Sequence, residues 1–461
     1  MKLKLADFFK HPLLYIIIAA FLARLYFLFY HGIAWWDTSV YIGLGKYIFS
    51  GGAVGVNEAF RPILWPLILG FVWKIGINPL IFGMVFDLLL NLAAIYLVYI
   101  IAKKILNRKS AIFAAILMAV SPALIFYSSK ALTENLTIVL VLLSVYFIFE
   151  RKYFYAGLFA GISVLARYPS ALMLPALVLF VMTFGRGNWR FRLKDSFKIA
   201  EGFLIPVFIL LVYNLIAFGN VFYQFAAAQN AIAKAGMFFP EPWSYYFGAI
   251  VVECFLAVLF FHSIYLSWKE KNRDVWLMNI IFILFFAYYS TVMRKEIRYL
   301  MVALPMLYIS VAYSVENLFY KRIFGKHVAK YVVAALLVLF AVSSFFVVKS
   351  MQKDFYRPEN QDIMNNFYNS EALVGKNVIS SSPIPAAYMD LKVEVMEQEV
   401  FYKYVNMSSD YYLLYTCDLF CNDQSCFENR KAFLNILRNK RTAVYDKTEE
   451  NGCEYIIYEN S

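Results

Sequence analysis

A mainly α-helical, polytopic membrane protein with about eleven transmembrane helices and a small extracytoplasmic α/β domain at its C-terminal end is the fold class this sequence predicts. Three observations predict it. Hydrophobic residues fill 62% of the 461 positions and charged ones 16%, against roughly 25% charged in a soluble domain. The apolar excess is gathered into blocks that approach the roughly 20 residues needed to cross a bilayer. After Lys349 the blocks stop, and a polar stretch of mixed charge follows.

The blocks run at about 13–30, 79–102, 110–128, 131–149, 155–167, 170–184, 198–218, 244–267, 275–292, 299–318 and 329–349. No small-residue cleavage site follows the first, which reads as a retained helix rather than a signal peptide. A further block, 62–76, is short and is expected on the outer surface or as a re-entrant helix. The domains expected are therefore 1–350, a transmembrane catalytic domain whose first outer loop is 31–78, and 351–461, an extracytoplasmic α/β domain.

Charge orients the chain. The net +12 divides into 32 Lys+Arg against 14 Asp+Glu in residues 1–349, and 11 against 17 in residues 350–461. With the N-terminus cytoplasmic, the inner loops carry 21 basic residues and the outer loops nine, as the positive-inside rule requires. The basic excess thus belongs to membrane-flanking loops and gives no case for nucleic acid. Counting 62–76 as a full span would invert every later loop, so the tail is expected outside. Three of the nine outer charges, Arg294, Lys295 and Arg298, share the short loop VMRKEIRYL. Placing them against the bias is costly, and an anionic ligand would justify it.

The segment 155–167 ends in Arg167-Tyr168-Pro169, and proline favours a helix start but disfavours helix just before it. A tight helical hairpin with Arg167 at its outer tip follows. In the tail, NVISSS, VEVME, DYYLLYT, TAVYD and EYIIYE read as strands, and ENRKAFLNILRNK as a helix. Four of the five cysteines lie there: Cys417, Cys421, Cys426 and Cys453. An outward tail meets an oxidising compartment, so two disulfides in any of three pairings are favoured over a zinc site, for which no tail histidine exists. Asn406-Met-Ser is a glycosylation sequon on the same side.

The first outer loop, Trp35 to Pro66, is too polar to span and too aromatic for a plain solvated loop. Such a segment settles at the membrane surface, where its carboxylates can meet a substrate that is part lipid. Asp37, flanked by Trp35, Trp36 and Tyr41, is the candidate general base; the bland alternative is a helix N-cap. Glu134 is the second carboxylate, with an ion pair to Lys130 at i,i+4 spacing as its bland reading. Topology puts Asp37, Glu134, Arg61, Arg167, Arg294, Lys295 and Arg298 on one membrane face, with Glu58, Tyr41, Tyr168 and Tyr299 beside them in sequence. Two carboxylates and several cations suit removal of an acceptor's proton while a phosphate leaving group is anchored. Asp87, Glu253 and Arg24 lie within apolar blocks and are expected to pair structurally. The four histidines are scattered, and the first loop has no D-x-D. The chain has no Walker motif, no G-x-S-x-G and no Gly-rich nucleotide loop. No cofactor is assigned, and a divalent metal is left open.

The motifs come in a particular order: D-x-x-x-Y (Asp37, Tyr41), R-P-x-x-x-P (Arg61 to Pro66), S-P-x4-Y-S-x4-T-E (Ser121 to Glu134), G-x3-G-x5-R-Y (Gly157 to Tyr168), F-G (Phe218-Gly219) and R-Y-L-x4-P (Arg298 to Pro305). Over about residues 10–320 this resembles the GT-C glycosyltransferases of the protein O-mannosyltransferase and lipid A aminoarabinose-transferase type. The resemblance implies a polyprenyl-phosphate sugar donor and an extracytoplasmic active site in the cell membrane. It implies Asp37 as catalytic acid/base, Glu134 as a second acid, and Arg298 with Arg294 and Lys295 on the lipid phosphate. The acceptor would be a protein, a lipid or a glycan. Where that family often carries a second acid directly after the first, this chain has Thr38. The rival readings are an oligosaccharyltransferase-like enzyme of the same fold, and a transporter or scaffold without catalysis.

Overall fold

The computed structural model describes residues 12–29, 33–323, 325–355, 359–397, 400–405, 407–421 and 423–460. These divide into two compact units. The first takes in Met1–Tyr30, Val85–Ser129 and Thr133–Phe355; the second takes in His31–Met84, Lys130–Leu132 and Tyr356–Ser461. The domain boundary expected from the sequence is at 350/351, with the first outer loop 31–78 grouped with the helices.

The first unit is helical throughout. Among the described residues four helices are long and apolar enough to cross a bilayer: Pro79–Ile105, Trp189–Phe218, Arg273–Thr291 and His327–Asp354. A fifth span results if Arg108–Val120 and Pro122–Ser129, bent by 56° at their junction, count as one. Other apolar blocks are shorter helices or are interrupted. Block 244–267 stops at Glu253, passes through an extended Cys254 and a 3-10 turn, and resumes at Leu259. Block 299–318 becomes a helix only at Leu304. Block 62–76 gives Leu64–Lys74, 11 residues and so about 16 Å at the α-helical rise, half of a hydrocarbon core. The figure of about eleven spans thus rests on hydropathy, not on helix length.

Small residues set the packing. A Cβ on Gly157 would stand 1.9 Å from the Ile199 carbonyl oxygen, one on Gly161 2.4 Å from that of Phe203, and one on Gly202 2.1 Å from that of Phe154. The G-x3-G part of the Gly157–Tyr168 motif is therefore the seam between helices Tyr153–Ala166 and Trp189–Phe218. The far side of Trp189–Phe218 leaves Ile205, Phe208, Ile209 and Ile216 exposed, as a lipid-facing surface would. The buried polar residues are networked. Arg24 Nε donates to Asn91 Oδ1 at 2.6 Å, Asn91 Nδ2 to Asn135 Oδ1 at 2.8 Å, and Asn135 Nδ2 to Asp87 Oδ1 at 2.9 Å. Arg24 thus reaches Asp87 through two amides rather than by direct pairing. Glu253 accepts from the Ser121 hydroxyl, the Ala123 amide and the Tyr308 hydroxyl.

The second unit is built on a sheet of six strands: β1 (Gly55–Val56), β2 (Asn377–Ser380), β3 (Lys392–Val395), β4 (Tyr411–Tyr415), β5 (Thr442–Thr448) and β6 (Glu454–Glu459), in the order β1-β3-β2-β4-β6-β5. The β1–β3, β3–β2 and β2–β4 pairs are parallel, and the two involving β6 antiparallel. Alternation sends Val378, Leu413 and Ile457 to one apolar core and Ile379, Leu414 and Ile456 to the other. All five strands expected in the tail are present, with helix Gln424–Lys440 between β4 and β5. The sixth strand, β1, comes from the first outer loop. Gly55 permits it: its φ is +101°, and a Cβ there would lie 2.1 Å from the Gly43 carbonyl oxygen.

Helices Trp36–Phe49 and Leu64–Lys74 cross at Gly45 and Gly70, where a Cβ on either would stand 2.5 Å from a carbonyl oxygen of the other helix. Lys46 carries its ammonium to Asp390 at 2.9 Å and to the Met389 carbonyl at 3.0 Å, and Trp73 Nε1 donates to the same carboxylate at 3.0 Å. Burial pulls the Lys46 ammonium's pKa below its usual value, and Asp390 offsets part of this. The pairings left open by the cysteine spacing are Cys417–Cys453 and Cys421–Cys426, with Cα separations of 5.6 and 5.4 Å. Asn406 of the sequon lies outside the described residues.

Candidate active site

In the second unit the acids of the first loop converge on one arginine. Asp37 occupies the first turn of Trp36–Phe49, and the N-cap is Trp35, whose side chain makes no capping bond. The N-cap reading of Asp37 is thereby corrected by two positions: the carboxylate is the second residue of the helix, where the macrodipole favours negative charge. Arg61 Nη2 lies 2.9 Å from Asp37 Oδ1, and Arg61 Nε donates to Glu58 Oε2 at 2.9 Å. The guanidinium also stands 5.1 Å from the Phe60 ring centroid and 5.6 Å from that of Tyr41. Burial alone would lower the Arg61 pKa; Asp37, Glu58 and Tyr41 outweigh it and raise it above the ordinary value. Asp37, Tyr41, Glu58 and Arg61 are thus one cluster, and the Asp37 side chain keeps 17% exposure. Thr38 is fully buried and its hydroxyl donates to the Lys130 carbonyl. An acid placed here would face a carbonyl oxygen, so the Asp-Thr departure from the Asp-acid pattern has a packing reason.

In the first unit a second cluster forms around Tyr299. The helix Tyr153–Ala166 stops where the sequence placed its end; Arg167 is extended, and Tyr168–Leu172 is a 3-10 turn. Arg167 reaches Glu134 Oε1 at 2.5 Å. Glu134 Oε2 is buried and accepts no hydrogen bond among the described residues. The guanidinium carbons of Arg167 and Arg298 lie 5.2 and 5.3 Å from the centroid of the same Tyr299 ring, and Tyr289 stacks on that ring at 5.9 Å. Glu296 bridges two cations of the basic loop, taking Arg294 Nη2 at 2.7 Å and Arg298 Nε at 2.5 Å. Lys295 turns aside and donates to the Glu241 carbonyl at 2.8 Å. Tyr168 packs on Phe225, ring centroids 4.8 Å apart.

Glu134, Arg167, Arg294, Arg298 and Tyr299 are therefore brought together, while Lys295 and Tyr168 make separate contacts. Glu296 was missed. It lies inside VMRKEIRYL, and reading that loop only for its cations concealed the acid that partly neutralises them. No group of three or more His, Cys, Asp or Glu side chains able to hold a metal occurs among the described residues.

Comparisons with known proteins bear on the fold that carries these clusters. Residues 60–216, about a third of the chain, match the family described as dolichyl-phosphate-mannose-protein mannosyltransferase. No curated protein sequence matches the chain. Among solved structures, ArnT from Cupriavidus metallidurans bound to undecaprenyl phosphate superposes with a TM-score of 0.68 at 11% identity, covering 98% of this chain and 98% of ArnT. The oligosaccharyltransferase AglB from Archaeoglobus fulgidus, in complex with an inhibitory peptide and a dolichol-phosphate, gives 0.60 at 11% identity, covering 98% of this chain and 75% of AglB. The mycobacterial arabinofuranosyltransferase AftD gives 0.53 at 11% identity, with 96% and 41% covered. At such identities the likeness establishes the fold, which is that of the GT-C glycosyltransferases.

Proposed function

We propose that this protein is a multi-pass membrane glycosyltransferase that moves a sugar from a polyprenyl-phosphate donor to an acceptor on the extracytoplasmic face. The observation that carries the reading is the agreement between the full-length fold and the first loop. A chain superposing along 98% of its length on a structure bound to undecaprenyl phosphate also holds an Arg-paired carboxylate, Asp37, in that loop. The charge bias supports a cytoplasmic N-terminus and an external tail.

In this reading Asp37 takes the proton of the acceptor hydroxyl as its oxygen bonds to the anomeric carbon. The bond from that carbon to the phosphate oxygen breaks, its electron pair stays on the phosphate, and the polyprenyl phosphate returns to the bilayer. Arg61 orients Asp37 at 2.9 Å, with Glu58 as its counterweight and Tyr41 beneath it. Arg298 and Arg294 hold phosphate oxygens in a fork, Tyr299 spaces Arg298 from Arg167, and Arg167 fixes Glu134. Lys295 ties the basic loop to the Glu241 carbonyl, and Tyr168 follows Arg167 in its turn. One displacement inverts the anomeric configuration.

The test offers purified protein three donors: an undecaprenyl-phosphate hexose or aminopentose, an undecaprenyl-pyrophosphate oligosaccharide, and a nucleotide sugar. Release of undecaprenyl phosphate from the first alone is the expected result. Turnover of the pyrophosphate donor alone would favour the oligosaccharyltransferase reading, and turnover of the nucleotide sugar alone would end the polyprenyl-phosphate reading.

A further inference from the structure

We propose that the C-terminal tail positions the candidate base: tail residues 386–393 clamp the helix Trp36–Phe49 on both sides of Asp37, with Tyr388 and Lys46 as positioning residues. This rests on the transferase reading above and gives the tail a task that reading leaves open.

The start of the helix is not capped by its own side chain. Its N-cap residue is Trp35, and an indole offers a donor but no acceptor to the first helical N–H groups. Ala34, one residue earlier, is fully buried, and a buried backbone N–H needs an acceptor. The Tyr388 hydroxyl is that acceptor, at 2.8 Å. The tail thus holds the main chain three residues before Asp37. Ile33 and Val56 of the first loop pack in one apolar core with Leu391 and Val393 of the tail.

The other hold is at Lys46. Its ammonium reaches Asp390 at 2.9 Å and the Met389 carbonyl at 3.0 Å. Between the two holds the helix lies close against the tail because Gly43 has no side chain: a Cβ there would stand 3.2 Å from the Ala386 Cβ. Past the helix, the Gly55 amide donates to the Leu391 carbonyl at 2.8 Å, and β1 pairs with β3. Tyr388, Met389, Asp390 and Leu391 are consecutive, and each takes a hydrogen bond or an ion pair from the first loop.

The spacing of the holds says what they do. Lys46 follows Asp37 by nine residues, which is half a rotation around the helix axis and about 14 Å along it. The tail therefore grips the back of the helix and leaves Asp37 on the front. The same distance makes Asp37 sensitive to tilt. A rotation of about 4° about Lys46 would carry it about 1 Å, and a misplacement of that size can cost a reaction about 100-fold. A hold at each end removes a tilt that one hold would allow.

The experiment compares wild type, Tyr388→Phe, Lys46→Met and Lys46→Arg as full-length protein in detergent. It reads kcat for release of undecaprenyl phosphate from an undecaprenyl-phosphate hexose and from the aminopentose, donor Kd, and deuterium uptake by peptides covering 34–46. Tyr388→Phe removes the acceptor and keeps the ring. Lys46→Met keeps the apolar stem and removes the charge, and Asp390, with 46% of its side chain exposed, is left to solvent rather than buried alone. Tyr388→Phe is expected to lower kcat about 10-fold and Lys46→Met about 30-fold. Donor Kd should stay within about 2-fold of wild type, faster uptake should be confined to 34–46, and Lys46→Arg should restore most of kcat. Faster uptake with unchanged kcat would overturn the assignment, since the holds would then anchor the tail without setting Asp37. Unchanged uptake in both variants would overturn it as well, as would uptake rising throughout the tail, the mark of a merely structural role. A wild type that turns over neither donor would instead remove the transferase reading, and the positioning of a base with it.

Discussion

Two carboxylate–arginine arrangements of this protein, one around Arg61 and one at Arg167, are built to different specifications. In the second unit Asp37 and Glu58 divide one arginine between them, and the Asp37 side chain keeps 17% of its surface. In the first unit Glu134 has Arg167 at 2.5 Å, and their side chains keep 5% and 15%. A shared, partly exposed carboxylate stays in reach of an incoming hydroxyl. A carboxylate sunk against its own arginine is harder to approach. The contrast teaches that an acid's place in a chemical step depends on how much of its partner it owns and on what can still approach it.

The largest test of this contrast is chemical. Asp37→Asn preserves size and removes the base, and transfer is expected to fall about 10³-fold with an unchanged thermal unfolding midpoint. Next comes the packing that frames the buried pair. Gly157→Val would push side-chain carbons against the Ile199 carbonyl, already 1.9 Å from an added Cβ. Loss of monodisperse protein on size-exclusion chromatography is expected, and a well-folded variant would overturn the seam. Glu134→Gln should reverse the pattern of Asp37→Asn: a cost of about 3 kcal/mol to stability, from leaving Arg167 buried without its counter-charge, and a fall in transfer of about 10-fold or less. Collapse of activity with an intact melt would exchange the roles of the two acids. The smallest effect is in the tail, where Cys421→Ser opens a loop of sequence separation 5 and should cost less stability than Cys453→Ser, which opens one of 36. The reverse order, read by thermal unfolding, would count against a loop-entropy origin.

Much of this was legible before any coordinates. Hydropathy located the helical mass, and Pro169 marked the turn that extends Arg167. Period-two alternation in NVIS, YYLLY and EYIIYE gave strands that do feed two opposite cores. Other features were not legible, for physical reasons. Gly55–Val56 is a strand of two residues, and its pairing with β3, more than 330 positions along the chain, leaves no local periodicity. Hydropathy windows also run across the extended backbone at Cys254 without registering it, because a break in hydrogen bonding need not be a break in polarity. The disulfide pairing follows from the antiparallel run of β4 beside β6, which brings the ends bearing Cys417 and Cys453 together; spacing alone does not encode that. The i,i+4 spacing offers Lys130 as the bland partner of Glu134, and a sequence does not reveal that Thr38 takes the Lys130 carbonyl and Trp65 the Ala131 carbonyl.

The measurement that tests the central claim most directly is transfer from a radiolabelled polyprenyl-phosphate hexose by purified wild type and Asp37→Asn, with donor affinity determined on the same preparations. The account predicts turnover in the wild type, a fall of about 10³-fold in the variant, and donor Kd values within about 2-fold of each other. Equal turnover by the two proteins would contradict it, and would take Asp37 out of the chemistry.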